Sequence, residues 1–212
     1  MKPACPLCAG GEASPLFEDR ARRYHHCPAC DVRFLERACW MTPEQEKARY
    51  LTHNNDVLDP RYQDFVRGLY DELRSKAAPG ARGLDFGAGT GPVLAHMLGQ
   101  AGFDMKLYDT YFHPERDVLE LKYDFIAASE VVEHMREPKV EFERLKRLLK
   151  PGGWLGIMTW LWDDAIDFAG WSYRKDPTHL VFYSQASLRW IARRHGFTEV
   201  SFPARRLILL RA

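Results

Sequence analysis

The run Gly83-Leu84-Asp85-Phe86-Gly87-Ala88-Gly89-Thr90-Gly91 narrows the possible folds of this chain more than any other segment. A short apolar stretch ends in a carboxylate and passes into a turn with glycine at every second position. Val93, Leu94, Met97 and Leu98 then recur at helical spacing, and Gly102 stops the pattern. Strand, glycine turn and helix in that order open an α/β unit. Its glycines permit positive φ and let a ligand lie against the backbone. The spacing is Gly-x-Gly-x-Gly, not the Gly-x-Gly-x-x-Gly of dinucleotide sites, and Asp85 stands two residues before Gly87. A carboxylate in that turn repels a pyrophosphate, which seeks the helix N-terminal amides. It suits a ligand with an ammonium group and no phosphate.

The alternation continues. Met105, Leu107 and Tyr108 read as a second strand ending in Asp109, about twenty residues beyond the turn. A carboxylate there accepts hydrogen bonds from ribose hydroxyls in nucleoside-binding α/β folds. Tyr123-Asp124-Phe125-Ile126-Ala127-Ala128 reads as a buried strand, followed by Ser129-Glu130-Val131-Val132-Glu133-His134. An amphipathic helix through Phe142, Leu145, Leu148 and Leu149 stops at Lys150-Pro151-Gly152-Gly153, and the strand Trp154-Leu155-Gly156-Ile157-Met158 follows.

DFGAGTG, an acidic second-strand end, YDFIAASEVVEHM and LLKPGGWLGIMT, in that order, resemble the class I S-adenosylmethionine-dependent methyltransferases, closest to the branch with a Glu-His pair after the fourth strand. The resemblance covers roughly residues 80 to 212. It implies a doubly wound, mostly parallel, Rossmann-like α/β sheet of about seven strands. The last two form an antiparallel hairpin, for which Glu199–Phe202 and Arg206–Leu210 are suited. It implies that S-adenosylmethionine lies across the carboxyl ends of the first strands. Gly87, Ala88, Gly89 and Gly91 would line it, with Asp85 near its amino acid end. Asp109 and Thr110 would meet the ribose, and Ser129 and Glu130 would border the methionine portion. One departure is visible. Only fourteen residues separate Asp109 from Asp124, so Val118-Leu119-Glu120-Leu121 is expected as a remnant third strand, with Asp117 and Val118 as adenine contacts.

Methyl transfer requires a nucleophile aligned behind the methyl group, and a base where that nucleophile carries a proton. Glu133-His134 is one source of a base. The segment Tyr173–Tyr183 is the other, because the family that the chain resembles places substrate contacts there. His179, His134 and Tyr183 are the candidate catalytic residues. A hydrogen-bonded structural role suits His134 equally well, and Asp176 is equally a turn former. Trp154, Trp160, Trp162, Phe168, Trp171 and Tyr173 crowd one stretch, as a core, a lid or the wall of a pocket.

The chain has five cysteines, all within its first 39 residues. Cys5-x2-Cys8 and Cys27-x2-Cys30 are separated by eighteen residues, the spacing of a four-thiolate zinc site. Cys5, Cys8, Cys27 and Cys30 are therefore the expected Zn2+ ligands of a zinc ribbon. His25 and His26 read as polar hairpin residues rather than ligands, and Cys39 as a small buried residue.

The expected organisation is a ribbon over 1–40, a helical bridge or cover over 41–78, and a methyltransferase domain over 79–212. Thr42-Pro43 and Asp59-Pro60 mark two helix starts in the bridge, and Phe65, Leu69, Tyr70 and Leu73 form an apolar stripe. Lys+Arg 30 against Asp+Glu 29 leaves a net charge of +1, which provides no field for gathering nucleic acid or anionic membrane. No apolar run spans a bilayer and the first residues do not read as a secretory signal, so the expected location is the cytoplasm. The expected function is methyl transfer from S-adenosylmethionine to an unidentified acceptor, a small molecule in preference to a macromolecule. One alternative is a nucleic-acid-modifying enzyme docked through the ribbon and Arg20, Arg22 and Arg23. The other is a non-catalytic cofactor-binding regulatory protein.

Overall fold

The computed structural model describes residues 3–10, 12–19, 21–52 and 55–212. Strands β1 (Ser14–Glu18), β2 (Arg23–Cys27) and β3 (Val32–Leu35) form an antiparallel meander behind the first cysteine pair. Two helices follow. In α1 (Pro43–Tyr50) Thr42 is the N-cap of a complete capping box with Gln45. In α2 (Pro60–Lys76) Asp59 caps Arg61 N. Val66, Leu69 and Leu73 are the buried stripe of α2, while Phe65 stays 40% exposed. The expected stripe was thus rotated by about one residue.

The remaining elements are β4 (Arg82–Phe86), α3 (Val93–Gln100), β5 (Asp104–Tyr108), β6 (Tyr123–Ser129), α4 (Pro138–Leu148), β7 (Leu149–Met158), α5 (Ser172–Lys175), β8 (Val181–Phe182), α6 (Gln185–His195), β9 (Glu199–Ala204) and β10 (Leu207–Arg211). Among the described residues the main sheet has six strands in the order β5-β4-β6-β7-β10-β9. The first four are parallel, and β10 and β9 return as the expected antiparallel hairpin. The chain leaves β4 to β5 on one side and reaches β6 on the other. This is the topological switch point, where open α/β sheets bind ligands.

Both faces of the sheet are covered, and β6 shows it by period. Phe125 and Ala127 pack with α2 and α3, while Tyr123, Ile126 and Ala128 join the opposite core. Gly156 in β7 makes room for α2, since a Cβ there would meet Leu69 and Leu73.

The expected remnant third strand does not form. Asp117–Glu120 is a 3-10 turn, which accounts for six strands rather than seven. A parallel strand needs a crossover of roughly a dozen residues on each side, and this stretch is too short for that. The turn is tied down instead by Tyr123 Oη, which donates to Val118 O at 2.6 Å.

The N-terminal meander is not a free appendage. β3 pairs with β8 and Leu35 N donates to Leu180 O at 2.8 Å, so the meander is completed by a strand from far along the chain. Tyr24, Phe34, Phe182 and Tyr183 share one hydrophobic core with Ile126 and Ile157 of the main sheet. Among the described residues no helix is long and apolar enough to cross a membrane.

Candidate active site and cysteine cluster

A cavity of about 890 Å³ opens at the carboxyl ends of β4, β5 and β6. The glycine turn forms its floor. Gly87 and Gly89 take φ of 79° and 62°, a region costly to residues with a Cβ. Gly87 N and Ala88 N donate to Tyr108 O at 2.7 and 3.1 Å, which fastens the turn to β5. Gly91 serves another purpose. A Cβ there would lie 1.7 Å from Asn55 O, so the glycine lets the segment between α1 and α2 close over the turn. Glu46 and Tyr50 of α1 and Tyr62 and Phe65 of α2 line the same cavity, so the bridge helices also act as its cover.

Asp109 ends β5 and is held on three sides. Its Oδ2 accepts from Gly89 N at 3.0 Å, and its Oδ1 from Tyr111 N at 2.8 Å and Phe112 N at 3.1 Å. The carboxylate is thereby oriented while retaining lone pairs for a ligand. Asp85 is only 4% exposed. Burial pushes its carboxyl up to about 7; the Ala95 backbone opposes the rise and the charge of Asp109 adds to it. Thr110, Ser129 and Glu130 line the cavity as well. Glu130 sits in the left-handed region at φ 53°, with its N–H on Met158 O at 2.7 Å and both carboxylate oxygens on Arg206 Nη2 at 2.8 Å. Such a strained backbone persists only where the surroundings determine it, and it concentrates at functional sites.

His134 and His179 meet at the far end. Their ring centroids are 4.7 Å apart and their planes cross at 69°. His134 Nδ1 donates to Thr178 O at 2.9 Å and His179 Nδ1 to Tyr173 O at 2.7 Å. A carbonyl only accepts, so each Nδ1 carries hydrogen and each neutral ring keeps a lone pair on Nε2. Burial lowers both imidazoles, and the neighbouring His134 helps push His179 down to about 3. Behind them Glu133 is fully buried; it accepts from Thr159 Oγ1 at 3.0 Å and from Tyr173 Oη. Burial raises its carboxyl to about 7, while the bonds from Tyr173 and Thr159 pull the other way.

The structure therefore gathers Asp85, Gly87, Ala88, Gly89, Gly91, Asp109, Thr110, Ser129, Glu130, His134 and His179 around one cavity. Tyr183 is not among them. It is buried against Phe142 and its Oη donates to Val132 O at 3.0 Å, so it belongs to the core behind the site. Asp117 and Val118 also lie off the cavity, where Tyr111, Phe112 and Arg116 stand instead. Of the aromatic cluster only Trp160 and Tyr173 reach the cavity, whereas Trp154, Trp162, Phe168 and Trp171 are core. Glu133 and Tyr173 were not foreseen as a linked pair. Their only sequence signals were the Glu-His dipeptide and the aromatic segment.

The four thiols of Cys5, Cys8, Cys27 and Cys30 converge. Cys5 Sγ lies 3.5 Å from Cys30 Sγ, and Cys8 Sγ lies 3.5 Å from Cys27 Sγ. A tetrahedral zinc with bonds of about 2.3 Å holds its sulfurs about 3.8 Å apart, so the donor set fits that ion. The two knuckles repeat each other. Ala9 N donates to Cys5 O and Asp31 N to Cys27 O, and Ala9 and Asp31 both take positive φ. His25 and His26 turn away to Glu36 and Asp31, and Cys39 packs against the core.

The N-terminal meander also braces the segment that carries Tyr173 and His179. Arg22 Nη1 donates to Arg174 O and Lys175 O, Arg174 pairs with Asp19 at 3.0 Å, and the Arg33 guanidinium lies 3.6 Å above the Trp162 ring. Arg23 is paired with Glu36. Two of the three arginines named for the nucleic-acid alternative are thus engaged internally, and Arg20 lies outside the described residues.

A Rossmann-like sheet with a glycine turn, an acidic residue ending the second strand and a covered cavity at the switch point defines a nucleoside-cofactor enzyme of the methyltransferase class. The methyltransferase-domain family model matches residues 59–201, more than half of the chain, and the chain belongs to that family. It is an S-adenosylmethionine-dependent methyltransferase. No curated protein matches it in sequence. Among solved structures it is similar to the 1,6-didemethyltoxoflavin-N1-methyltransferase of Burkholderia thailandensis with bound 1,6-didemethyltoxoflavin and S-adenosylhomocysteine. That match has 17% identity, covers 94% of this chain and 99% of the other, and has a TM-score of 0.51. An O-methyltransferase family protein of the same organism matches at 15% identity over 78% of this chain and 61% of its own, with a TM-score of 0.52. A chain from the complex between the Haloferax volcanii Trm112 methyltransferase activator and a methyltransferase matches at 13% identity, over 78% and 96%, with a TM-score of 0.53. At these identities the likeness is one of fold.

Proposed function

We propose that this enzyme methylates a small molecule through an O–H or N–H group held at His134 and His179. The observation that carries the reading is the pair of imidazoles lining the cavity that the glycine turn floors, each with Nδ1 spent on a backbone carbonyl and Nε2 left with a lone pair. Basic, uncharged acceptor groups suit a nucleophile that must shed a proton as its new bond forms. The bound cofactor supplies a methyl carbon made electrophilic by its sulfonium. Gly87, Ala88 and Gly89 bring backbone close to it, and Asp109 and Thr110 meet its ribose. Asp85, Ser129 and Glu130 border its amino acid portion. Residues of α1 and α2 line the cavity of about 890 Å³ and limit the size of ligand it admits, which favours a small acceptor. The small ligand bound by the Burkholderia thailandensis N1-methyltransferase is consistent with that.

The ribbon is assigned to 1–40, the cover to 41–78 and the catalytic unit to 79–212, with Zn2+ on Cys5, Cys8, Cys27 and Cys30 as a structural ion. The test is ligand-induced stabilisation. S-adenosylhomocysteine raises the melting temperature of the wild type, because a ligand bound only by the folded state must stabilise it. Asp109→Ala weakens that binding by about 1–3 kcal/mol, the worth of hydrogen bonds to a charged group. His179→Ala leaves it within about twofold, since an acceptor-side residue does not contact the cofactor. Equal losses in both variants would refute the division of roles.

A further inference from the structure

We propose that Glu133, His134 and His179 bind a divalent transition-metal cation at the acceptor end of the cavity, distinct from the cysteine site. The use made of that ion rests on the methyltransferase reading above; the site itself rests on geometry. The ligand-capable atoms of the three residues all lie within 4.8 Å of one another. Both imidazoles donate Nδ1–H to a backbone carbonyl, Thr178 O for His134 and Tyr173 O for His179. This is the outer-shell bond that fixes tautomer and orientation in metal-binding histidines, and it leaves Nε2 free to ligate.

The carboxylate strengthens the case. Glu133 is fully buried, and its partners are the neutral hydroxyls of Thr159 and Tyr173. Among the described residues no Lys or Arg is hydrogen-bonded to it, and Arg206, the guanidinium in this region, is committed to Glu130. A buried carboxylate calls for a cation or a proton. A base pair would explain the two imidazole lone pairs. It would not explain why a carboxylate held by two hydroxyls converges on them. Each Glu133 oxygen accepts from one hydroxyl and keeps a lone pair, and with the two imidazole lone pairs these form a set of acceptors that suits a cation.

The donor set is two nitrogens and one oxygen, which suits Zn2+, Fe2+, Co2+ or Mn2+ better than Mg2+ or Ca2+. His134 and His179 line the cavity whereas Glu133 lies behind them. The open coordination position therefore faces the acceptor, as in catalytic rather than structural sites. An ion there would ligate the acceptor's oxygen or nitrogen and hold it beside the methyl group. The imidazoles would then hold the ion, and the acceptor, made more acidic by ligation, would give its proton to water on binding, before the methyl group moves to its oxygen or nitrogen.

The test is a titration of the purified full-length protein with Co2+ to saturation, read by metal content and by visible absorption. The wild type is expected to hold about two divalent ions per chain. One belongs to the thiolates, with intense sulfur-to-cobalt absorption. The other gives only weak bands from nitrogen and oxygen ligands. His179→Ala and His134→Ala are expected to lose the second ion and its weak bands while keeping the thiolate absorption. That retained signal, with the melting temperature, shows that each variant is folded. A wild type holding one ion, or a His179→Ala protein still holding two, overturns the proposal. Stabilisation by S-adenosylhomocysteine is measured on the same samples. If the wild type shows it while holding no second ion, only this proposal fails. If it is missing while the second ion is bound, the methyltransferase reading fails instead.

Discussion

The cysteine cluster and the cavity make opposite use of buried polar groups. In the N-terminal meander four thiols close on one point, and His25 and His26 pair locally with Glu36 and Asp31. Around the cavity Asp85, Glu130 and Glu133 are all pushed up to about 7, and Glu130 takes a left-handed backbone. On the proposed reading a metal closing the cysteine cluster would add stability, whereas the raised carboxyls of the cavity subtract it in the absence of ligand. A ligand-binding site keeps charges and lone pairs in costly states because the ligand is what satisfies them.

The largest effect should come from breaking the closed cluster. Cys5→Ser combined with Cys30→Ser is expected to abolish zinc binding and cost several kcal/mol of stability, because structural zinc supplies folding energy outright. Since β3 pairs with β8 and both share the main core, the whole chain should melt earlier in one transition. An unchanged melting temperature, or a ribbon that melts alone, would erase the contrast between the two regions.

A change of the opposite sign is expected at the cavity floor. The Asp85 carboxyl is raised from 3.8 when free to about 7 when folded. Between those values the folded state keeps a proton that the unfolded state has released. Stability is therefore greatest below about pH 4 as far as Asp85 is concerned, and falls as pH rises through 7. Asp85→Asn should remove that dependence and stabilise the ligand-free protein at pH 8 by roughly 2–4 kcal/mol. The gain should shrink towards pH 4 and be accompanied by weaker S-adenosylhomocysteine binding. Denaturant unfolding at several pH values measures it, and a variant that is less stable at pH 8 would show that the buried carboxylate is satisfied.

The smallest effect separates a wall from a site. Tyr183→Phe loses one hydrogen bond to Val132 O, worth about 1 kcal/mol, and should leave cofactor affinity and turnover within twofold. A larger loss of turnover would return Tyr183 to the catalytic group.

Features set by neighbours in sequence were legible before the fold. The two Cys-x2-Cys knuckles, the glycine turn, the helix starts at Thr42-Pro43 and Asp59-Pro60 and the final hairpin all appear where they were expected. Each depends on spacing within a few residues. The third strand was misread because Val118, Leu119 and Leu121 are apolar in a helical turn as well as in a strand. Tyr183 was misread because a tyrosine two residues beyond Val181 looks the same whether its hydroxyl meets a ligand or a carbonyl. The stripe of α2 shifted because Phe65 serves the cavity mouth rather than the core.

By itself the amino-acid sequence determined the fold class and the thiol pairs, because periodicity and ligand spacing are local, and its resemblance to class I methyltransferases implied the cofactor. Only the tertiary structure decided which distant groups meet. It laid β8 against the ribbon, placed Asn55 over Gly91, and brought His134 and Glu133 from the end of β6 to His179 and Tyr173. Those meetings depend on how two cores pack against one sheet, and no spacing along the chain encodes that distance.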